Sequence, residues 1–134
     1  MRTKKFEVET GDREAVIDIT RECASILQPG DEGLLHVFVP HATAGLAIIE
    51  TGAGSDEDLL NALRDLLPAD DRWIHSHGSR GHGRSHVLPA FVPPYATLPV
   101  IDGRIALGVW QSICLVDLNV DNHVRAVRAS FVAA

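Results

Sequence analysis

Apolar and polar residues alternate along much of this chain, and a period of two residues is typical of β-strands with one buried face. The alternation predicts a half-buried strand over 4–10. The dipeptide Asp102-Gly103 between two apolar segments predicts a tight hairpin. Further strands are predicted over 33–40, 46–51, 87–91, 97–101, 104–110, 113–118 and 124–132, the last with Arg125 and Arg128 exposed.

A helical period replaces this alternation over 55–67, where leucines recur at spacings of three and four residues. Ser55 is the expected N-cap, and the acidic residues that follow it suit the positive end of a helix. Pro68 ends the helix, and 20–27 favours a second, short helix. The expected buried stripe consists of Leu59, Leu60, Leu63, Leu66 and Leu67. These patterns together predict an α+β protein that is mostly β.

Length, charge and cysteine content narrow the classes of protein. The chain has 134 residues, enough for one hydrophobic core, so we expect a single domain over 1–134. Its net charge of −6 argues against a nucleic-acid partner. The chain has neither a long apolar run nor the apolar region of a signal peptide, so we expect a cytoplasmic protein without a membrane partner. Cys23 and Cys114 lie in apolar segments, where we expect buried free thiols, with a disulfide as the alternative.

The segment 72–90, RWIHSHGSRGHGRSHVLPA, concentrates histidine and arginine and contains no acidic residue. Neutral imidazoles bind divalent metals, and guanidinium groups bind phosphate or carboxylate in a forked geometry. The segment could therefore hold a metal beside an anionic molecule. The alternative is a polar surface loop, because the histidine spacing fits no standard zinc signature.

Three other places carry candidate chemistry. His41 ends an apolar strand and begins the small segment HATAG, where Thr43 and backbone amides could bind an oxyanion. The alternative is a turn selected only for small residues. Glu50 follows the apolar LAII, a setting that raises a carboxyl pKa and suits proton transfer, although an ordinary charge at a strand end fits as well. Trp110 and Gln111 follow a predicted strand, where a core anchor and a capping amide are the plainer interpretation.

Taken in order, several segments resemble the YjbQ-like family, also described as secondary thiamine-phosphate synthase enzymes. They are GLLHVFVPHATAGLAIIE, the leucine helix ending in LLP, WIH followed by SH, and TLPVIDGRIALGVWQSICLVDL. The resemblance implies sandwich-like sheets with one main helix, and a homotrimer with sites near the subunit interfaces. It also implies a site built from His and Glu that holds a divalent metal, Zn²⁺ or Mg²⁺.

The resemblance assigns roles residue by residue. His41, His75 and His86 occupy family motif positions and are the expected metal ligands, whereas His77 and His82 look local to this sequence. Glu50, with His41, is the expected acid–base group. The family often places polar Asn or Asp residues on both sides of this glutamate, whereas this chain has Ile49 and Thr51 there. The residues expected to bind an anionic substrate are Thr43, Arg84, Ser85, Trp110 and Gln111.

Two functions follow from these assignments. The first is weak thiamine-phosphate synthase activity, or a hydrolase reaction, on a small phosphorylated molecule, with the metal or arginines stabilising the leaving diphosphate. The second is a trimeric protein that binds a small ligand or a metal without turnover. A third, purely structural interpretation leaves the histidines packed across subunits.

Overall fold

The computed structural model describes residues 1–134 and contains eight strands and two α-helices. Two 3-10 helices, His82–His86 and Leu88–Ala90, follow the second α-helix. The elements are β1 (Arg2–Glu9), β2 (Ala15–Asp18), α1 (Thr20–Ala24), β3 (Gly33–Phe38), β4 (Ala44–Ile49), α2 (Ser55–Leu66), β5 (Tyr95–Ile101), β6 (Arg104–Ile105), β7 (Ser112–Asp117) and β8 (Val124–Ala133).

The strands form two sheets, and every pairing is antiparallel. The larger sheet has the order β1–β8–β3–β5–β6, and the smaller has the order β2–β7–β4. Alternate residues of β3, Leu35 and Val37, pack with Leu46 of β4 and Leu115 of β7 in one core cluster, so the core lies between the two sheets. The fold is therefore α+β with mostly antiparallel strands, as predicted.

Helix α2 covers the other face of the smaller sheet. Leu63 and Leu67 pack with Val116 of β7 in a second apolar cluster. Strand β7 is consequently buried on both faces, which explains its nearly continuous apolar sequence. The stripe predicted for α2 is wrong at one position, because Leu66 is 52% exposed.

The start of α2 also differs from the prediction. The N-cap is Gly54 at φ 103°, and Ser55 is the first helical residue, with no side chain capping the helix. A left-handed backbone at the cap position suits glycine and leaves the serine inside the first turn. The acidic residues of that turn, Asp56, Glu57 and Asp58, are placed as expected for the positive end of the helix.

Two predicted strands are wrong in whole or in part. Residues 87–91 form a 3-10 helix instead, with the Ala90 and Phe91 amides donating to the carbonyls of Val87 and Leu88 at 3.0 and 2.9 Å. Pro89 has no amide to give to a neighbouring strand, so local bonds prevail. The strand predicted over 104–110 ends at Ile105, ahead of a turn over 108–111.

Other local predictions are confirmed. Asp102 and Gly103 have φ of 49° and 73° and join β5 to β6 in a hairpin. Cys23 and Cys114 are free and buried, and burial raises the pKa of their thiols to about 12 and about 11. None of the helices has the length and the apolar character that crossing a membrane would require.

Candidate functional site

Four histidines converge in the segment that follows α2. His75 and His77 come from the loop, and His82 and His86 stand at the two ends of the first 3-10 helix. One ring nitrogen from each lies within 4.8 Å of those of the others. Zinc–nitrogen bonds of about 2.0–2.1 Å in a tetrahedron place the ligand nitrogens about 3.3 Å apart. The cluster is therefore close to the dimensions of a four-imidazole metal site.

The backbone of this segment leaves space only for glycine where the histidines approach each other. A Cβ at Gly83 would lie 2.3 Å from the carbonyl oxygen of His75 and 2.4 Å from the Cβ of Trp73. Trp73 anchors the loop, because its indole N–H donates to the Pro68 carbonyl at 2.8 Å and its ring packs on the cluster beneath α2. The loop and the 3-10 helix are thus held against each other.

His82 is the buried member of the cluster, with 6% of its side chain exposed. Its Nε2 lies 3.0 Å from Nε2 of His86, and its Nδ1 lies 3.0 Å from Oδ2 of Asp121. The Ser79 amide and hydroxyl donate to that same oxygen at 3.1 and 3.0 Å. These hydrogen bonds lower the pKa of the Asp121 carboxyl, and the bond from the Ser79 backbone amide has the largest effect.

Two histidines of the cluster, His75 and His86, are favoured in their neutral form. Desolvation lowers the pKa of His75 and His86, and the neighbouring imidazoles lower it further. A neutral imidazole keeps one nitrogen lone pair free to bind a metal. His75 and His77 are exposed, so solvent and small molecules reach this side of the cluster.

Arg84 and Ser85, predicted to bind an anion, are buried beside the cluster. The Arg84 guanidinium donates to the Leu67 carbonyl at 3.2 Å and lies 3.3 Å from a carboxylate oxygen of Glu14. Both residues nevertheless line a cavity of about 130 Å³ together with His82 and the exposed Arg80. A second cavity of about 110 Å³ also includes Arg80 in its lining, together with His75 and His82.

Thr43 of the HATAG segment belongs to a buried polar network rather than to the histidine cluster. The guanidinium of Arg125 donates to Oδ2 and Oδ1 of Asp117 at 2.6 and 3.0 Å, and to the Thr43 hydroxyl at 2.8 Å. The side-chain amide of Asn119 also donates to that hydroxyl at 3.3 Å. The predicted exposure of Arg125 is therefore wrong: it is fully buried, because Asp117 on β7 supplies its counter-charge.

The structure does not bring His41 into the cluster. Its Nε2 accepts a hydrogen bond from the Ala126 amide at 2.8 Å, which places the ring beside β8. Desolvation lowers the pKa of His41, and the positive charge of Arg125 lowers it further. Of the three expected metal ligands, His75 and His86 thus lie together, whereas His41 lies outside the cluster and its Nε2 contacts β8.

The remaining predicted residues lie outside the cluster as well. Glu50 follows β4 and forms no hydrogen bond or ion pair with another side chain. Trp110 is 71% exposed, so it does not anchor the core of this chain. The side-chain oxygen of Gln111 accepts a hydrogen bond from the Gly108 amide at 2.7 Å, in the turn before β7.

The fold and the site define a class of protein: two antiparallel sheets, a covering helix, and a histidine cluster in the segment after that helix. The family model described as UPF0047 protein YjbQ-like matches residues 4–134. The chain belongs to this family, which confirms the resemblance of its motifs.

Relatives and solved structures agree with this assignment. The chain is 58% identical over 132 residues to UPF0047 protein Rv2556c of Mycobacterium tuberculosis, covering 98% of each chain. It is 32% identical over 116 residues to UPF0047 protein YugU of Bacillus subtilis, covering 82% of this chain and 84% of YugU. The crystal structure of hypothetical protein APE1520 from Aeropyrum pernix K1 superposes with a TM-score of 0.88 at 31% identity and covers both chains completely.

Sequence reasoning set aside two members of the cluster, His77 and His82, because they match no family motif. It also missed Asp121. The close spacing of His82 and His86 was a usable signal, since any helical conformation of five residues keeps both side chains within reach of one site. Nothing in the sequence links Asp121 to His82, because their contact depends on how the segment after β7 folds back.

Proposed function

We propose that the histidine cluster is a divalent-metal centre that acts on a small anionic molecule. The carrying observation is the convergence of His75, His77, His82 and His86, with ligand nitrogens within 4.8 Å of one another. An all-imidazole donor set suits Zn²⁺, whereas Mg²⁺ prefers oxygen ligands and retains water. Zinc is therefore the metal we propose, and magnesium is disfavoured.

The surroundings support an anionic substrate. Arg80 is exposed at the wall shared by both cavities, and Arg84 and Ser85 line one of them. A metal here would supply Lewis acidity toward a phosphate or carboxylate oxygen. Arg80 can bind the same oxygens in a forked geometry once it leaves Asp71, its exposed partner at 3.4 Å. The class of reaction proposed is transfer or hydrolysis of a phosphorylated group, including thiamine-phosphate synthase-like chemistry.

A second candidate function has its own support. Four imidazoles complete a tetrahedral coordination shell, and closed four-ligand shells are typical of structural zinc rather than catalytic zinc. A metal-binding protein without turnover therefore competes with the enzyme. Glu50 lies outside the cluster in this chain, and we carry over its acid–base role from the family resemblance alone. For an enzyme, Glu50→Gln should abolish turnover and leave metal affinity unchanged, whereas no turnover by either protein would favour the binding function. Equal turnover in both proteins would remove Glu50 from the mechanism.

The assembly and compartment are proposals as well. We propose a homotrimer that buries the outer face of the larger sheet, because exposed apolar side chains gather there. They are Leu34, Phe38, Tyr95, Ile101 and Val132. We place the protein in the cytoplasm, where buried free thiols persist.

The metal proposal is tested by metal analysis of purified protein and by zinc titration of the metal-free protein. His75→Ala and His86→Ala should each lower zinc affinity by tenfold or more. His123→Ala removes an exposed histidine outside the cluster and should change nothing. Absence of micromolar zinc binding by the unsubstituted protein would overturn the proposal. Competition by inorganic phosphate or diphosphate for the loaded site then tests the anionic ligand.

A further inference from the structure

We propose that Asp121 is the positioning residue of the cluster, holding His82 through Nδ1 so that Nε2 faces the other imidazoles. This inference rests on the proposed metal function, because it names the residue that orients one of its ligands. Its basis is the 3.0 Å separation between His82 Nδ1 and Asp121 Oδ2, together with the 3.0 Å separation between His82 Nε2 and His86 Nε2.

The chemistry of the pair fixes the tautomer of His82. An ionised carboxylate only accepts hydrogen bonds, so Nδ1 of His82 must carry the proton that joins it to Asp121. Neutral His82 then presents the lone pair of Nε2 to the cluster. In the metal-free protein His86 supplies the proton between the two Nε2 atoms. A carboxylate behind a histidine is a common way to orient a ligand and to raise its basicity.

The carboxylate is itself held in place. The amide and hydroxyl of Ser79 both donate to Oδ2. A Cβ at position 78 would lie 2.7 Å from this oxygen, so glycine is required for the loop to pass so close. Turning the Asp121 carboxylate away from His82 would therefore break both hydrogen bonds from Ser79.

The backbone of Asp121 is anchored to the buried network. Its backbone amide donates to the side-chain oxygen of Asn119 at 2.8 Å, and the backbone amide of Asn119 donates to Oδ1 of Asp117 at 2.8 Å. Asp117 is fully buried against Arg125. A continuous series of hydrogen bonds thus runs from the buried Asp117 through Asn119 and Asp121 to Nδ1 of His82.

The first experiment measures the tautomer of His82 in metal-free protein at pH 8 by long-range proton–nitrogen correlation spectroscopy. We expect Nδ1 to be protonated in the unsubstituted protein, and a mixture of tautomers in Asp121→Ala. Asp71→Ala is the matched control, because Asp71 lines a cavity together with His82 but pairs with Arg80. A proton on Nε2 in the unsubstituted protein, or an unchanged tautomer in Asp121→Ala, would overturn the proposal.

The second experiment measures zinc affinity. Asp121→Asn should lower it by about 10- to 100-fold, as loss of a carboxylate behind a metal ligand does elsewhere. In a His82→Ala background the same substitution should change affinity less than about twofold, because Asp121 acts only through His82. Independent, additive effects would refute the positioning role. If the unsubstituted protein binds no zinc, the metal function fails, whereas the tautomer measurement still decides the role of Asp121.

Discussion

Breaking the buried pair of Arg125 and Asp117 is the most direct test of how this fold is held together. Arg125→Met keeps an unbranched apolar stem and removes the guanidinium, which leaves the Asp117 carboxylate buried without its counter-charge. Both side chains are completely buried, so solvent cannot compensate for the loss. The Thr43 hydroxyl also loses a donor at 2.8 Å.

The contacts of Arg125 determine how much free energy of unfolding is lost in Arg125→Met. Arg125 makes two hydrogen bonds to the carboxylate and two to Thr43, one to its hydroxyl and one to its carbonyl. Hydrogen bonds to charged groups contribute about 1.5–3 kcal/mol each. Desolvation of both ions offsets part of this sum. Removing one partner of a buried pair nevertheless costs about 3–5 kcal/mol, because the remaining charge stays buried. We expect Arg125→Met to lower the free energy of unfolding by that amount.

Urea unfolding at fixed protein concentration measures the change. Arg128→Met is the matched control, because Arg128 lies on the same strand and is exposed, so its loss should stay within about 0.5 kcal/mol. The double variant Arg125→Met/Asp117→Leu should recover much of the stability, since it buries no charge. A loss below about 1 kcal/mol in Arg125→Met, or no recovery in the double variant, would refute the reasoning.

Further predictions concern the cluster and the thiols. Gly83→Ala should lower zinc affinity by at least tenfold in a titration, because the added methyl group forces the loop from the 3-10 helix; Gly108→Ala, where the nearest atom is a movable side-chain oxygen at 3.1 Å, should leave it unchanged. The lowered pKa of His86 means that the unfolded chain binds this proton at a higher pH than the folded protein. Urea midpoints of metal-free protein should therefore fall as the pH is lowered through 6.5, and a His86→Ala variant that falls as steeply would contradict this assignment. Cys23 and Cys114 should not react with a thiol reagent until urea unfolds the chain, and rapid labelling of native protein would show that they are accessible.

The sequence predicted those elements whose pattern reflects a local environment. Strand β3 alternates because it lies between the core and the outer face, and α2 repeats every three or four residues because one side covers β7. The segment 87–91 has an equally apolar composition, yet it forms a 3-10 helix. Composition alone does not tell a buried strand from a buried turn, and Pro89 was the residue that should have weighed against the strand.

The candidate site was predicted in part, and for a physical reason. The abundance of histidine in 72–90 pointed to the segment where four imidazoles converge, and two of the three expected ligands, His75 and His86, lie together there. His77 and His82 were set aside, because motif positions alone do not report which side chains a 3-10 helix brings together. Arg125 was misplaced because its partner Asp117 lies on β7 of the other sheet, and only the packing of the two sheets brings the buried pair together.

The two regions that the sequence suggested separately, the HATAG segment and the histidine segment, are joined by the connection between β7 and β8. Thr43 contacts Arg125 and Asn119 at the core end of this connection, and Asp121 contacts His82 at the other. Hydrogen bonds through Asn119 link the two ends. A substitution that loosens the core end should therefore lower zinc affinity through Asp121, even though it touches no imidazole. The buried pair of Arg125 and Asp117 thus stabilises the fold and also holds Asp121 in position beside His82.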